Sequence, residues 1–352
     1  MTFLKNAWYV AAWSTEVEVG KLLSRRLLDE PVVIYRDPDG CARALTDRCP
    51  HRFAPLSMGR LVDGVLQCPY HGLRFDGSGD CVHNPHGPVP RAARVRSFPL
   101  AERYSAIWIW MGDPDKAAES AIPEFDFLVP EHWYVGTGHM AIDGGYELEI
   151  DNILDLSHIE FLHPLFSSEA VSRGEIKCGQ EGDTVWSRRY IRDDSPPPFI
   201  YQAFNIPQGN LVDRWLDVRW QAPALMALWT GGVAAGRSPE DGVNVPSAHL
   251  FTPETASRTH YFYAMSFPHA LGPAGEVMAR EKLEVLRQPF EHEDKPIIEA
   301  VARSMSGADF WSLKPVLLRG DEAAVRARRI LEKRIASERA SAEASRQVAG
   351  PR

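Results

Sequence analysis

No apolar run in the 352-residue sequence approaches the roughly 20 residues that a transmembrane helix requires, so no membrane partner is expected. Cysteine is scarce: five residues, an odd number, argue against a disulfide framework. There is no internal repeat, no G-x-G-x-x-G after a strand and no phosphate-binding loop, so the chain is not expected to bind a nicotinamide itself. Basic charge is not in excess either. With 39 Lys and Arg against 47 Asp and Glu the net charge is −8, which argues against nucleic acid as the partner. The opening M-T-F-L-K-N-A-W-Y-V-A-A-W has one early lysine but not the layout of a secretory signal. It reads as a first strand, and a cytoplasmic location is expected.

What is present reads as an ordinary globular chain, 44% hydrophobic and 24% charged, long enough for two domains. The first hundred or so residues carry strand signals. E-P-V-V-I-Y-R, the turn Asp37-Pro38-Asp39-Gly40 and C-A-R-A-L-T-D form a predicted hairpin. R-F-D-G-S-G-D-C-V repeats the pattern, and A-I-W-I-W-M-G closes an all-β domain near Gly112, with Trp108 and Trp110 on one side of a strand as core. A polar, Pro-containing linker follows. From about Tyr134 strands mix with helices. D-R-W-L-D-V-R-W-Q, A-L-M-A-L-W-T and R-T-H-Y-F-Y-A-M-S-F read as consecutive antiparallel strands, and E-V-M-A-R-E-K-L-E-V-L-R-Q-P-F-E-H-E-D-K as a long helix. A charged helix from Asp321, read as a solvated face, frays into a polar tail.

Two short stretches carry chemistry. C-P-H, with Cys49 and His51, and C-P-Y-H-G, with Cys68 and His71, each offer one thiolate and one imidazole after a strand-like segment. Tetrahedral zinc also accepts two Cys and two His, but zinc spacing usually keeps like ligands together. One of each per loop suits a two-iron cluster in which one iron takes both cysteines and the other both histidines. Pro50 and Pro69 stiffen the loops, and Gly72 lets the backbone pass close. C-x-H-x16-C-x2-H resembles a Rieske [2Fe–2S] centre. High-potential versions carry two further cysteines that pin the loops; Ala54 and Tyr70 stand there, so the lower-potential type is expected. Cys41, Cys81 and Cys178 lack metal spacing and read as buried reduced thiols.

The second constellation lies in G-Y-E-L-E-I-D-N-I-L-D-L-S-H-I-E-F-L-H. Asn152, Asp155 and His158 fall at steps of three, which on a helix share one face. His163, five beyond His158, would be rotated about 140° away on a regular helix, and Pro164 disfavours helix at His163. The helix is therefore expected to loosen or end there, with a π-bulge as one route to converging imidazoles. Two histidines and one carboxylate make a facial triad for non-haem iron, with Asp155 and Asp294 as candidates for the carboxylate.

N-x2-D-x2-H-x4-H downstream of the Cys/His motif resembles the oxygenase component of Rieske non-haem iron oxygenases. N-A-W-Y-V-A-A, I-W-I-W-x-G-D-P, D-N-I-L-D-L-S-H and L-F-T-P-E-T are similar to the vanillate and dicamba O-demethylase branch. The resemblance implies an α+β chain: an all-β Rieske domain (1–113), a linker (114–133), a helix-grip catalytic domain of curved antiparallel sheet and helices (134–340) and a polar tail (341–352). It implies Asp294 as third ligand to a mononuclear Fe(II) with His158 and His163. Asn152 and Asp155 stand as catalytic residues, Asp155 bridging one subunit's cluster to the next subunit's iron in a homotrimer. The cluster would relay electrons from an NAD(P)H-dependent flavin and iron–sulfur reductase, directly or through a ferredoxin. With O2, the methyl ether of a small aromatic substrate would be oxidised to a hemiacetal that collapses to a phenol and formaldehyde. The alternatives are hydroxylation or dihydroxylation by the same machinery, and, in another class, a Rieske electron carrier with a binding domain.

Pocket walls are expected from residues 198–204, 220–230 and 248–251. His249 is either a substrate contact or a hydrogen-bonded strand histidine. Val285 stands nine residues before Asp294, where the dicamba branch has a ring-stacking tryptophan, which implies a substrate of another shape.

Overall fold

The Asp37–Gly40 turn shows how local chemistry sets the first hairpin. Gly40 takes φ +80°, and the Asp37 carboxylate accepts from the N–H groups of Asp39 and Cys41 at 3.1 and 2.9 Å. The structure, a computed structural model, describes residues 3–349. The chain divides into two compact units, one built on Lys5–Ile122 with Thr252–Ala256, the other on Pro123–Phe251 and the residues from Ser257 onward.

The first unit is all-β. Its strands are β1 (Trp8–Trp13), β2 (Leu23–Leu27), β3 (Glu30–Arg36), β4 (Ala42–Thr46), β5 (Arg60–Val62), β6 (Val65–Gln67), β7 (Arg74–Phe75), β8 (Cys81–His83), β9 (Leu100–Arg103) and β10 (Ala106–Trp110). They form three antiparallel sheets, β1-β10-β9, β2-β3-β4 and β5-β6-β7-β8. Trp108 and Trp110 are buried, with every other residue of β10, as an uninterrupted apolar core strand requires. Cys41, read from sequence as a buried thiol, is exposed beside the turn, and Cys81 and Cys178 are half-buried.

The polar segment expected as a linker, residues 114–133, is not featureless. It forms short 3-10 turns at Pro114–Lys116, Glu119–Ala121 and Asp126–Leu128, and Ile122, Phe125, Phe127 and Leu128 are buried.

The second unit is a seven-stranded antiparallel sheet of β11 (Trp133–Ile142), β12 (Glu175–Glu181), β13 (Thr184–Asp194), β14 (Val212–Gln221), β15 (Leu225–Ala234), β16 (Val243–Thr255) and β17 (Arg258–Pro268), in the order β11-β17-β16-β15-β14-β13-β12. The three strands read as consecutive are therefore interrupted by β16, whose sequence carries Pro246 and Pro253, residues that read against a strand. The helices are α1 (Tyr146–Leu154), α2 (Ile159–Leu162), α3 (Pro198–Ala203), α4 (Pro273–Pro289), α5 (Lys295–Met305) and α6 (Glu322–Ala349). The long helix α4 packs on β11 and β17, and Gly136 in β11 permits the close approach: a Cβ there would meet the backbone oxygen of Ala279 at 2.6 Å. The last helix is neither a purely solvated face nor frayed from residue 341. It runs to Ala349, and Arg328 is buried in an ion pair with Asp151 at 2.6 Å; residues 350–352 of the expected tail lie outside the described residues.

Candidate metal centres and substrate cavity

The two Cys/His loops have the same backbone design. Cys49 N–H donates to the carbonyl of Ala54 at 2.9 Å, and Cys68 N–H to that of Leu73 at 2.8 Å. Four residues after each cysteine the chain turns with positive φ, +62° at Phe53 and +74° at Gly72, and each of those N–H groups returns to its cysteine's carbonyl. Both cysteines are buried at 1% exposure, and the Cys49 thiol hydrogen-bonds Cys68. The rings of His51 and His71 lie 4.4 Å apart on the more exposed side. Burial, with the neighbouring Cys68, pushes the Cys49 thiol up to about 11, so a metal must displace its proton.

Like donors are thus paired, sulfur with sulfur and imidazole with imidazole. Among the described residues the one cluster of three or more donors whose ligand atoms all lie within 4.8 Å of one another is elsewhere. A single zinc needs all four donors to converge; this arrangement fits a dinuclear cluster with one all-sulfur and one all-imidazole iron.

That other cluster is His158, His163 and Asp294. Helix α1 stops at Leu154, and Asp155 leaves helical geometry at φ −119° and caps the next turn, accepting from Ser157 N–H at 3.1 Å. Asn152, Asp155 and His158 consequently do not share one helical face. Helix α2 ends at Leu162, with His163 out of helical geometry at φ −116° ahead of Pro164. The π-turn lies on the other side of the site, at Phe290–Asp294, flanked by Pro289 and Pro296, which lack backbone N–H groups. It swings Asp294 inward.

Nε2 of His158 and Nε2 of His163 stand 3.5 and 3.3 Å from the same Asp294 oxygen, and Asn152 donates to that oxygen at 3.1 Å. Both Nδ1 atoms face away. His163 donates to Glu293 at 2.6 Å and His158 to the backbone carbonyl of Asp155 at 2.9 Å, which leaves both Nε2 lone pairs for a metal. The bridge expected from Asp155 therefore starts differently: its carbonyl, not its carboxylate, receives the ligand's N–H. The carboxylate is held by Arg189 at 2.9 Å and by the Ser157 hydroxyl at 2.9 Å. Burial lowers the pKa of His158. For His163 burial acts the same way, but Asp294 and Glu293 outweigh it and raise the pKa. Two imidazoles and one carboxylate on one side of a cavity are the donor set of a facial triad. Sequence reasoning missed Glu293 and Arg189; the E-D pair inside the late helix was the only signal, and only for Glu293.

A cavity of about 290 Å³ opens from this triad. Of the expected walls, residues 198–204 supply Phe199, Ile200, Gln202, Ala203 and Phe204, whereas 220–230 supply only Leu228 and Thr230, and 248–251 only His249. Helix α4, where the sequence reading singled out Val285, forms a further wall through Met278, Lys282, Leu286 and Pro289, continued by Phe290 of the π-turn; Val285 itself is not part of the lining. His249 is both a lining residue and a bonded strand histidine. Tyr261 donates to its Nδ1 at 2.6 Å, and its Nε2 donates to Ser247 at 3.0 Å. Burial pushes its pKa down to about 4, so it presents a neutral ring.

Residues 7–99 match the Rieske [2Fe–2S] domain, and residues 142–337 match the vanillate O-demethylase oxygenase C-terminal domain. The chain is 41% identical to the oxygenase component of chloroacetanilide N-alkylformylase from Rhizorhabdus wittichii, over 96% of this chain and 97% of the relative. It is 40% identical to the oxygenase component of dicamba O-demethylase from Stenotrophomonas maltophilia, over 95% and 98%. Its fold superposes on a dicamba monooxygenase crystallised with 3,6-dichlorosalicylic acid with TM-score 0.90 at 39% identity, covering 97% of this chain and 100% of that one. Paired loops for a Rieske cluster, a facial triad at the head of a cavity and relatives aligned end to end lead to one conclusion: the chain belongs to the vanillate O-demethylase oxygenase family and is the oxygenase component of a Rieske-type non-haem iron monooxygenase.

Proposed function

We propose that this oxygenase removes the methyl group of a small methoxy-aromatic, releasing formaldehyde and a phenol. The observation that carries the reading is the cavity itself, apolar along its walls, sized for one substituted ring and headed by His158, His163 and Asp294. In this reading Cys49, His51, Cys68 and His71 hold the [2Fe–2S] cluster and His158, His163 and Asp294 the mononuclear iron. When bound, these groups supply one-electron relay and dioxygen activation. Glu293 and the Asp155 carbonyl orient the two imidazoles, and Asn152 steadies the carboxylate. Phe166, Phe199 and Phe204 exclude water and align the ring, and Ser247, which donates to the Leu228 carbonyl and accepts from His249, offers its oxygen as an acceptor to a polar substituent. Each turnover takes O2, two electrons and two protons, and returns water with the two organic products.

The electrons come from an NAD(P)H-dependent flavin and iron–sulfur reductase in the cytoplasm. The working form is a homotrimer in which Asp155 lies on the route from one subunit's cluster to the next subunit's iron. Among the described residues no helix is long and apolar enough to cross a membrane.

A second reading, oxidative N-dealkylation of a neutral anilide, has support in the 41% identity to chloroacetanilide N-alkylformylase. Joint measurement of O2 uptake and formaldehyde release, with a reductase and a panel of vanillate, dicamba and a chloroacetanilide, separates the two. Stoichiometric formaldehyde from a methoxyarene supports demethylation. Turnover confined to the anilide, or ring hydroxylation without formaldehyde, would replace it.

A further inference from the structure

Helix α4 and the metal-ligating turn form one continuous wall. Counting back from Asp294 in steps of four gives Phe290, Leu286, Lys282 and Met278, and all of them line the cavity. Phe290, Leu286 and Met278 suit an apolar ring, and Asp294 belongs to the triad. Lys282 does neither. It lies roughly 18 Å from Asp294 along the helix axis, at the end of the wall away from the triad.

The opposite wall connects the same two ends. The ring of His163 lies 6.2 Å from that of Phe166, Phe166 lies 5.5 Å from Phe199, and the Lys282 ammonium sits 5.0 Å over the Phe199 ring. The other cation of the lining, Arg214, is already neutralised by Asp194 at 2.6 Å and donates to Ser168 at 3.0 Å. Among the described residues no carboxylate pairs with Lys282; its ammonium stands over the neutral face of Phe199. Lys282 is half-buried, and its ammonium meets an aromatic face where a counter-charge would otherwise stand. A ring that lay along Phe166 and Phe199 with its reacting group at the triad would direct its far substituent at this ammonium.

We propose that Lys282 is the specificity-determining residue of the cavity, and that it selects substrates carrying a carboxylate or similar anion at the end remote from the oxidised group. The inference rests on the cavity being the substrate site, as in the proposed function, and deepens it by fixing the charge of the substrate.

The test is equilibrium titration of the anaerobic, iron-loaded enzyme, which reads binding without turnover, with vanillate, its neutral methyl ester and benzoate. Lys282→Met keeps the unbranched stem against Phe199 and removes the charge; Lys282→Arg keeps the charge. A charge-assisted hydrogen bond of ordinary strength corresponds to about 10- to 100-fold in affinity. Expected is a loss of that size for vanillate with Lys282→Met, no change for the ester, and recovery with Lys282→Arg. Equal affinity of the wild type for acid and ester, an unchanged vanillate affinity in Lys282→Met, or equal weakening of acid and ester would each overturn it. Lys282-dependent binding of benzoate in an enzyme that demethylates no methoxyarene would uphold the lysine while removing the demethylase reading. Failure of the wild type to bind any of the three would remove both.

Discussion

Glu293 accepts a hydrogen bond from Nδ1 of His163 at 2.6 Å, one residue before Asp294 faces Nε2 of the same ring at 3.3 Å. A single widened helical turn therefore supplies both the carboxylate that orients the imidazole and the carboxylate that faces its other nitrogen. Partners of this kind fix the tautomer and raise ligand basicity, and their removal generally costs 10- to 100-fold in metal affinity. Glu293→Ala is expected to lose mononuclear iron about 10- to 100-fold more readily in a chelator competition, with Glu293→Gln intermediate because its amide oxygen still accepts. The visible spectrum of the cluster should stay unchanged in both.

Asp294→Ala should remove the mononuclear iron and turnover together while the cluster spectrum persists. Iron analysis makes this quantitative: about three irons per chain in the wild type and two in the variant. Asp155→Ala should keep all of its iron, because its carboxylate meets Arg189 and Ser157 and not the triad. The reverse pattern would exchange the two roles.

Cys68→Ala should give colourless protein. Its sulfur lies buried against Cys49, with no other described cysteine in the paired loops to replace it. Brown colour with the cluster's spectrum in this variant would overturn the assignment of the loops.

The buried His249 predicts an acid sensitivity with a definite sign. Its folded pKa of about 4 lies below the unfolded value of about 6.5, so the unfolded chain binds the proton more readily. Stability from this site is complete above about pH 6.5 and falls with pH down to about 4, by about 3 kcal/mol in total. His249→Gln should flatten the pH dependence of urea midpoints across that window when compared in the same metal state. Parallel curves would show that His249 does not set it.

The cysteine and histidine donors were legible because each sits in a short, stereotyped string. C-x-H and C-x2-H place donors within one loop, where backbone geometry alone decides their reach, and Pro164 alone suffices to end the helix at His163. Strand β16 was read only in part because Pro246 and Pro253 lie inside it, and proline signals against a central strand. The shared face of Asn152, Asp155 and His158 failed because Asp155 caps a new turn, where a carboxylate satisfies backbone N–H groups that a continuing helix would have used.

The sequence by itself determined the donor types, their spacing within each loop, the family and the α+β class, all of which follow from local chemistry or from motifs that survive without the fold. Only the tertiary structure decided which carboxylate joins the two histidines, since Asp294 is 131 residues beyond His163 and reaches it through a π-turn that no local pattern announced. It also decided that His158 leans on the carbonyl of Asp155, that Glu293 holds His163, and that Lys282, not Val285, faces the cavity. The physical reason is common to all of these. Long-range pairings are selected by packing and by the requirement that buried polar groups find partners, and those partners are supplied by distant segments whose approach is fixed only when the whole sheet and its gripping helix close around them.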